Sequence, residues 1–428
     1  GQLTSGASRI EVRLMSYAPV LAAAFVLWPL MGLLGAQGYT PLLGLAALPA
    51  LALARPKWPP AVYAIPAFLF VVWVVIGEAW SPVSTGLVSG SLLEGNFAVK
   101  ASSLRIFLTA VFALLAVGGA LRIAEGGAQI TTRVMLGAFA AQGLILAITV
   151  IFSGPLLRMV YGTDPNELNS GIQNLGRNAN AFALVLPILI AYLSARPQFF
   201  WKPVVALLVV TSLLIFARLD AQSPMIGLVF MMAAIGLVQA MPKLGFRVLF
   251  TSLGAYVAAA PMLIGTTLKL LEAYNIHLPG SFQSRAWAWH VVIGKISERP
   301  VTGHGISASK TWNETYASYP EWLAHLTDEW QYYPVVPGHP HNMALQIWAE
   351  TGMIGAVLVA FSLVLLGFRL PAPGQMRADV RYAIAGVMGV ALSVFSFAYN
   401  MWNEAFWSSV ALAAIAIILL AKRRRESL

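Results

Sequence analysis

The sequence predicts an all-α, polytopic membrane protein of about twelve transmembrane helices. Of its 428 residues, 58% are hydrophobic and 10% are charged, whereas soluble domains average about 45–50% apolar and about 25% charged residues. The chain also contains about twelve apolar runs of roughly the length that crosses a hydrocarbon core. Basic residues cluster in every second connection between these runs, which places them on one side of the membrane, as the positive-inside rule requires.

The apolar runs follow one another along the chain, so we expect a single transmembrane domain over residues 1–428. The second run is short and interrupted by proline. We expect residues 1–8 to be a processing remnant and the first run to be a signal anchor that stays in the membrane. The predicted spans are 15–34, 40–54, 60–77, 103–121, 134–154, 179–195, 203–217, 224–241, 245–268, 343–369, 381–400 and 405–421.

The charge distribution predicts how the chain is oriented. Arginine and lysine residues flank the spans on the side of the amino terminus, and most acidic residues lie on the other side. The net charge of +10 therefore indicates topology, and no nucleic-acid partner is expected. Both termini are predicted to be cytoplasmic, and the long connections 78–102, 155–178 and 269–342 are predicted to be external, where loops of this length usually carry function.

The connection 269–342 is predicted to contain an amphipathic helix over about 282–299, lying near the membrane surface and ended by Pro300. The segment 311–338 is aromatic and acidic, a composition suited to a sugar-contacting or interfacial surface.

All six histidines lie in this connection, and His341 is the first candidate for proton chemistry. An imidazole with a pKa near 6.5 can accept a proton from a hydroxyl group at neutral pH. His339 flanks it, and Asn342, Gln346 and Glu350 recur at spacings of four, which places a polar stripe on one face of an apolar helix. An interfacial or helix-capping histidine is the alternative for His341. For Glu350 the alternative is a partner for a basic or amide group that holds two helices together.

Three arginines are candidate phosphate ligands, because a guanidinium group matches phosphate oxygens in two-pronged geometry. Arg218 ends a span, Arg285 opens the amphipathic helix, and Arg177 precedes another span. The alternative for each is an interfacial arginine that extends toward lipid headgroups, and Arg218 could also pair with Asp220.

Several chemistries are excluded by what the sequence lacks. Without cysteines there are no disulfides, thiolate metal sites or cysteine nucleophiles. The chain has no Walker, GxGxxG or HExxH motif, and no closely spaced aspartate pair outside a span. We therefore expect an enzyme that uses no cofactor and activates its substrate without nucleotide or metal.

The motifs resemble those of the O-antigen ligase and polymerase superfamily. The similarity covers roughly residues 175–360, and Ala217 departs from the pattern because the family usually has a small hydroxyl residue there. The stretches that carry the resemblance are 178–184, which resembles a segment that opens a helix, 216–218, 285–289, 296–306, 339–346 and 350–352.

The resemblance implies a GT-C-like membrane glycosyltransferase in the inner membrane of a Gram-negative bacterium, with its active site on the periplasmic face. The donor would be a glycan on undecaprenyl pyrophosphate, and the acceptor of an O-antigen ligase would be the lipid A-core oligosaccharide. Carried onto this chain, His341 matches the general base of an inverting transfer, while Arg218 and Arg285 match the residues that bind the donor pyrophosphate. Supporting residues are expected among Arg177, His339, Asn342, Gln346, Glu350 and His304.

Three other functions stay open. An O-antigen polymerase uses the same donor with a second lipid-linked glycan as acceptor, and a protein O-oligosaccharyltransferase uses it with a protein acceptor. A transporter of lipid-linked glycans or ions would also have many spans. It would place its charges near the bilayer midplane and have unwound helices in paired halves, whereas this chain has its polar groups at one edge and no internal repeat.

Overall fold

The computed structural model describes residues 3–196 and 200–423, with side chains from Tyr17 onward. This described part is 76% helical, and its only sheet is a two-stranded antiparallel hairpin of β1 (Val88–Ser89) and β2 (Ala98–Val99). The side chains of the predicted processing remnant lie outside this description, as do the final basic residues. The α-helices are α1 (Leu3–Leu33), α2 (Tyr39–Leu53), α3 (Ala61–Gly77), α4 (Ser102–Ala120), α5 (Glu125–Ile151), α6 (Ser153–Tyr161), α7 (Pro165–Ser194), α8 (Trp201–Arg218), α9 (Gln222–Ala240), α10 (Gly245–Ala273), α11 (Gly280–Glu298), α12 (Pro320–Leu323), α13 (Met343–Arg369), α14 (Ala378–Phe397) and α15 (Glu404–Lys422).

The predicted fold class is confirmed. Within the described residues, 10 helices are long and apolar enough to cross a membrane, and two shorter apolar helices cover Tyr17–Leu33 and Tyr39–Leu53. Each of the predicted spans overlaps one of these twelve. The protein is therefore an all-α polytopic membrane protein.

The prediction of a loop at 155–178 is wrong, because most of this segment is helical. Residues of α6 cover its first part, and α7 begins at Pro165, two turns or more before the apolar run. The side chain of Asp164 accepts a hydrogen bond from the backbone N–H of Asn166 at 3.0 Å and so caps α7. The stretch 178–184 consequently lies inside α7 and does not open a helix.

The helices pack as one bundle through close approaches of backbone. Helix α14 packs against α9 and α7, α10 packs against α13, and α1 packs against α5 and α2. At the contact between α14 and α9, a Cβ on Gly389 would lie 2.5 Å from the carbonyl oxygen of Phe230, so only a glycine fits there. Small residues that let helices approach closely are typical of membrane bundles.

Several connections meet at one end of the bundle, which we call the loop end. The Oγ of Ser81, after α3, donates to the carbonyl of Ile306 at 2.6 Å, and the Oγ of Ser281 in α11 donates to Gln222 Oε1 at 2.8 Å. The Nδ2 of Asn342 donates to the carbonyl of Ser396 at 3.2 Å. These bonds join the connection after α3 to the one after α11, the first turn of α11 to the start of α9, and the start of α13 to the end of α14.

Candidate active site

Helix α13 begins at Met343, and Asn342 caps it. The Oδ1 of Asn342 accepts from the backbone N–H of Leu345 at 2.9 Å, while its Nδ2 donates to Tyr256 Oη at 3.1 Å and to the carbonyl of Ser396. Asn342 is buried. Its side chain thus fixes the start of α13 between α10 and α14, and so fixes the residue before it, His341.

The backbone of the stretch 339–341 is held from two sides. The indole Nε1 of Trp289, in α11, donates to the carbonyl of Pro340 at 2.8 Å. The backbone N–H of His341 donates to Nδ1 of His339 at 3.2 Å, and the two imidazole rings lie 4.0 Å apart. His341 has φ +56°, a left-handed conformation that few residues other than glycine adopt.

Both histidines are uncharged at neutral pH. Burial lowers the pKa of His341 to about 4, and the positive charge of Arg285 adds to this effect. Burial lowers the pKa of His339 to about 3, with contributions from His341, Arg285 and Lys310. Neither ring nitrogen of His341 hydrogen-bonds to another described residue, so a neutral imidazole with a free lone pair lies at the loop end.

Arg285 lies beside this pair on α11, and it has no acidic partner among the described residues. Its Nη1 is buried without a hydrogen-bond partner, and its guanidinium group packs on the ring of Phe282, 5.5 Å from the centroid. Burial lowers the pKa of Arg285. A buried N–H group without an acceptor is costly, and an anionic ligand would supply that acceptor.

The other two arginines occupy different surroundings. Arg218 is exposed at the end of α8 and makes no ion pair with Asp220. The hydrogen bond between Ser281 and Gln222 joins the turn that follows Arg218 to the first turn of α11, one turn before Arg285. Arg177 lies inside α7, where its Nη1 contacts Asn174 Oδ1 at 3.4 Å.

Glu350 is fully buried and accepts four hydrogen bonds. Its Oε1 accepts from Trp402 Nε1 at 2.7 Å and from the backbone N–H of Ser307. Its Oε2 accepts from Ser309 Oγ at 2.6 Å and from Gln346 Nε2 at 3.1 Å. The carboxylate joins α13 to the connection that contains Ser307 and Ser309 and to the one that contains Trp402. This agrees with the alternative stated for Glu350, in which it is the partner of an amide group.

Helix α13 is interrupted at Gly352, whose backbone has φ 70° and ψ −169°. The segment 300–305 replaces the hydrogen bonds that the interruption breaks. The amide groups of His304 and Gly305 donate to the carbonyls of Ala349 and Glu350 at 2.8 and 3.1 Å. The amide groups of Met353 and Ile354 donate to the carbonyls of Pro300 and Val301 at 2.8 and 3.3 Å.

This docking explains why the sequence places glycines in both segments. A Cβ on Gly303 would lie 2.6 Å from the amide nitrogen of Gly352, and a Cβ on Gly352 would lie 2.1 Å from the carbonyl oxygen of Val301. The ring of His304 bonds to the carbonyl of Lys295 through Nε2 at 2.7 Å. His304 therefore fastens the docked segment to α11, and its ring does not reach the His341 pair by a hydrogen bond.

An aromatic cluster covers the outer part of α11. Trp287 stacks on Trp322 with centroids 5.6 Å apart, Tyr319 stacks on Trp322 at 4.2 Å, and Tyr316 contacts Trp330 at 5.8 Å. Lys295 forms a salt bridge with Glu314 that ties this cluster to α11. The aromatic residues predicted from 311–338 thus build a small core, from which Tyr332 and Tyr333 are exposed.

Sequence reasoning missed the connection 398–403 between α14 and α15. The Oδ1 of Asn400 accepts from Gln346 Nε2 at 2.8 Å, and the amide group of Met401 donates to Gln346 Oε1 at 2.7 Å. Trp402 donates to Glu350, as described above. The only signal in the sequence was a polar interval, Tyr399 to Asn403, between two apolar runs.

Comparison with known proteins agrees with this part of the chain. Residues 207–360 match the sequence model of a family described as O-Antigen ligase. This stretch includes Arg218, Arg285 and His341, and Arg177 lies before it. The matched stretch is about a third of the chain. The resemblance read from the motifs is confirmed over this stretch.

Curated relatives carry a related name. Proteins named "Putative polysaccharide ligase" from Rickettsia conorii and Rickettsia felis are 37% and 35% identical over 89 residues, which is 21% of this chain. A third, from Rickettsia bellii, is 36% identical over 74 residues. The chain spans about a fifth of the length of these relatives, 20%, 20% and 17% respectively. No solved structure matches the chain.

Proposed function

We propose that this member of the O-antigen ligase family is a glycosyltransferase that moves O-antigen polysaccharide from undecaprenyl pyrophosphate to the lipid A-core oligosaccharide. The observation that carries the proposal is the pairing of a half-buried arginine that has no acidic partner among the described residues, Arg285, with a neutral histidine, His341. The guanidinium group of Arg285 can bind an anion, and the neutral imidazole of His341 can accept a proton. The family description adds the type of substrate.

The arginines act on the donor. A polyprenyl pyrophosphate is a leaving group that is already activated, and negative charge grows on it as the bond to the sugar breaks. Arg285 binds the pyrophosphate in two-pronged geometry and stabilises that charge. Arg218 supplies the second positive charge. It is exposed, and it lies four residues before Gln222, which bonds to Ser281 of α11. No metal ion is required for these steps, because the two guanidinium groups provide the charge.

His341 acts on the acceptor. The oxygen of the acceptor hydroxyl attacks the anomeric carbon while the bond from that carbon to the phosphate oxygen breaks, and the pyrophosphate leaves with the electron pair. The hydroxyl proton passes to a free ring nitrogen of His341. Attack from the side opposite the leaving group inverts the configuration. The negative charge of the bound donor offsets the effect of Arg285, so it raises the pKa of His341 during the step.

The charge pattern supports the placement of this reaction. Basic residues flank the spans at the end opposite the loop end, and the positive-inside rule makes that end cytoplasmic. We infer that both termini are cytoplasmic and that the loop end faces the periplasm of a Gram-negative bacterium, where His341 works at the outer edge of the inner membrane.

The base assignment is tested with purified protein in detergent and a lipid-linked glycan donor. His341→Ala is expected to lower the rate of transfer by about 10²–10⁴-fold, the usual contribution of a general base. His325→Ala is the control, because His325 is an exposed histidine of the same connection. Transfer by His341→Ala at the wild-type rate would show that His341 is not the base.

Arg285 is tested by comparing two substitutions. Arg285→Ala is expected to weaken use of the donor more than Arg285→Lys does, because lysine keeps the charge but not the two-pronged geometry. Arg299→Ala, at the exposed end of the same helix, is the control. Equal losses from Arg285→Ala and Arg285→Lys would argue against a pyrophosphate clamp.

Ligase and polymerase differ in the acceptor, and a deletion strain distinguishes them. Core oligosaccharide that lacks O-antigen, with polymerised glycan left on the carrier, is expected for a ligase. Core that bears single repeat units would indicate a polymerase. Transfer to a protein acceptor would indicate an oligosaccharyltransferase.

The interruption of α13 at Gly352 is a feature that transporters also have. Transfer in detergent, where no membrane separates two compartments, would show that transport is not the sole activity.

A further inference from the structure

The backbone N–H of His341 is bonded by the side chain of a neighbouring residue. It donates to Nδ1 of His339 at 3.2 Å. His341 has a left-handed backbone, with φ +56°. A positive φ is uncommon for residues other than glycine, and it persists where the surroundings hold the backbone in place.

The two residues on either side limit how the chain can relax. Pro340 has a fixed φ and favours an extended conformation at His339. Its carbonyl accepts from Trp289 Nε1 at 2.8 Å, and Asn342 is fixed as the cap of α13. The N–H of His341, which lies between these two fixed points, is the group that His339 binds.

We propose that His339 is a positioning residue whose Nδ1 holds the backbone of His341 in the left-handed conformation, and so aims the imidazole of His341 at the acceptor. The proposal rests on the proposed function, in which His341 is the base. His339 itself takes no proton from the substrate. Its Nδ1 is occupied by the amide group, and the proton of its neutral ring therefore lies on Nε2.

The chemistry of the contact sets the requirement at position 339. The side chain needs an acceptor atom two bonds beyond Cβ, because Nδ1 is bonded to Cγ. Asparagine places its Oδ1 at that position. Glutamine places its Oε1 one bond further, where Nε2 of histidine lies, and alanine offers no acceptor. The role of His339 can therefore be tested with three substitutions, His339→Asn, His339→Gln and His339→Ala. They distinguish a side chain that accepts a hydrogen bond from the backbone from one that exchanges protons.

The first measurement does not depend on transfer. Hydrogen exchange of the full-length protein in detergent, followed by mass spectrometry with fragmentation, reports on the amide group of His341, because Pro337 and Pro340 contribute no amide. We expect His339→Asn to exchange at the wild-type rate at this amide, and His339→Gln and His339→Ala to exchange at least about threefold faster. Exchange in α14 is the internal control for folding. Unchanged exchange in His339→Ala would overturn the proposal.

The second measurement is the rate of transfer. His339→Asn is expected to keep the rate within about threefold of wild type, whereas His339→Ala and His339→Gln are expected to lose about 10–100-fold, as displaced catalytic groups do. Equal large losses from all three substitutions would indicate that His339 exchanges protons, and would overturn the proposal. If the wild-type protein transfers no glycan while the exchange pattern holds, the proposed function fails and the positioning of His341 stands.

Discussion

Gly352→Ala tests whether the docking of 300–305 into the interrupted helix holds the site together. The added Cβ would lie 2.1 Å from the carbonyl oxygen of Val301 and 2.6 Å from the amide nitrogen of Gly303. These are backbone atoms, so no side-chain rotation relieves the contact. The backbone of Gly352, at φ 70° and ψ −169°, is also in a region that is essentially restricted to glycine.

The expected loss of stability has two sources. An alanine forced into this backbone region costs about 1–3 kcal/mol. If the segment 300–305 moves away instead, up to four backbone hydrogen bonds to α13 are lost, each with a net value of about 0.5–1.5 kcal/mol. The free energy of unfolding should therefore fall by about 1–3 kcal/mol in the first case, and by up to about 6 kcal/mol in the second.

The control is Gly236→Ala in α9. A Cβ at Gly236 meets nothing within 4 Å, and the residue is exposed. Alanine is a better helix former than glycine by up to about 1 kcal/mol, so this variant should be as stable as wild type or more stable.

Purified proteins in one detergent would be heated while tryptophan fluorescence is followed. Gly352→Ala is expected to unfold several degrees below both Gly236→Ala and wild type. If Gly352→Ala matched Gly236→Ala, the docked segment would not be what stabilises the interrupted helix.

The remaining predictions concern the pH dependence of transfer and three substitutions. Because burial and then Arg285 lower the pKa of His341 to about 4, its neutral form persists well below pH 6.5, and kcat/KM should hold from pH 7 to about 5 and fall as His341 gains a proton below that. Arg285→Gln removes a positive charge, so it should raise the pKa of His341 and move this acid limb upward; an unmoved limb would contradict the assignment. Glu350→Gln puts an NH2 group against two of the four donors, and thermal unfolding should show a loss of about 1–3 kcal/mol, unlike the exposed Glu329→Gln. Trp289→Phe removes the donor to the carbonyl of Pro340, so transfer should fall about tenfold, whereas equal rates would show that this bond does not position the site.

The sequence predicted the membrane helices because hydropathy depends only on local composition. It failed at α7, whose first turns are polar and amphipathic. Gly171 and Leu175 are nevertheless buried there, since these turns pack on α6 and not on lipid. Hydropathy detects a segment that crosses the hydrocarbon core, but it does not detect a helix that continues beyond that core.

Motif reasoning found the histidines, the arginines and the polar stripe of α13, since these residue types are rare in an apolar chain. It could not assign their contacts. Glu350 and Gln346 share a hydrogen bond at the predicted spacing of four. However, the donors Ser307, Ser309 and Trp402 come from connections about 40 residues or more away in sequence, and no local pattern reports such pairings.

The stretch that matches the family model does not contain every residue that holds the site together. Residues 207–360 contain the proposed base His341, the arginines Arg218 and Arg285, and the interruption of α13 at Gly352. Yet Ser396 and Asn400, which bind Asn342 and Gln346, lie beyond this stretch. A buried amide side chain without its partners is costly, so α14 and the connection 398–403 help to hold the first turns of α13 in place. The matched stretch therefore contains the proposed reacting groups, and the part of the chain after it supplies part of the frame around His341.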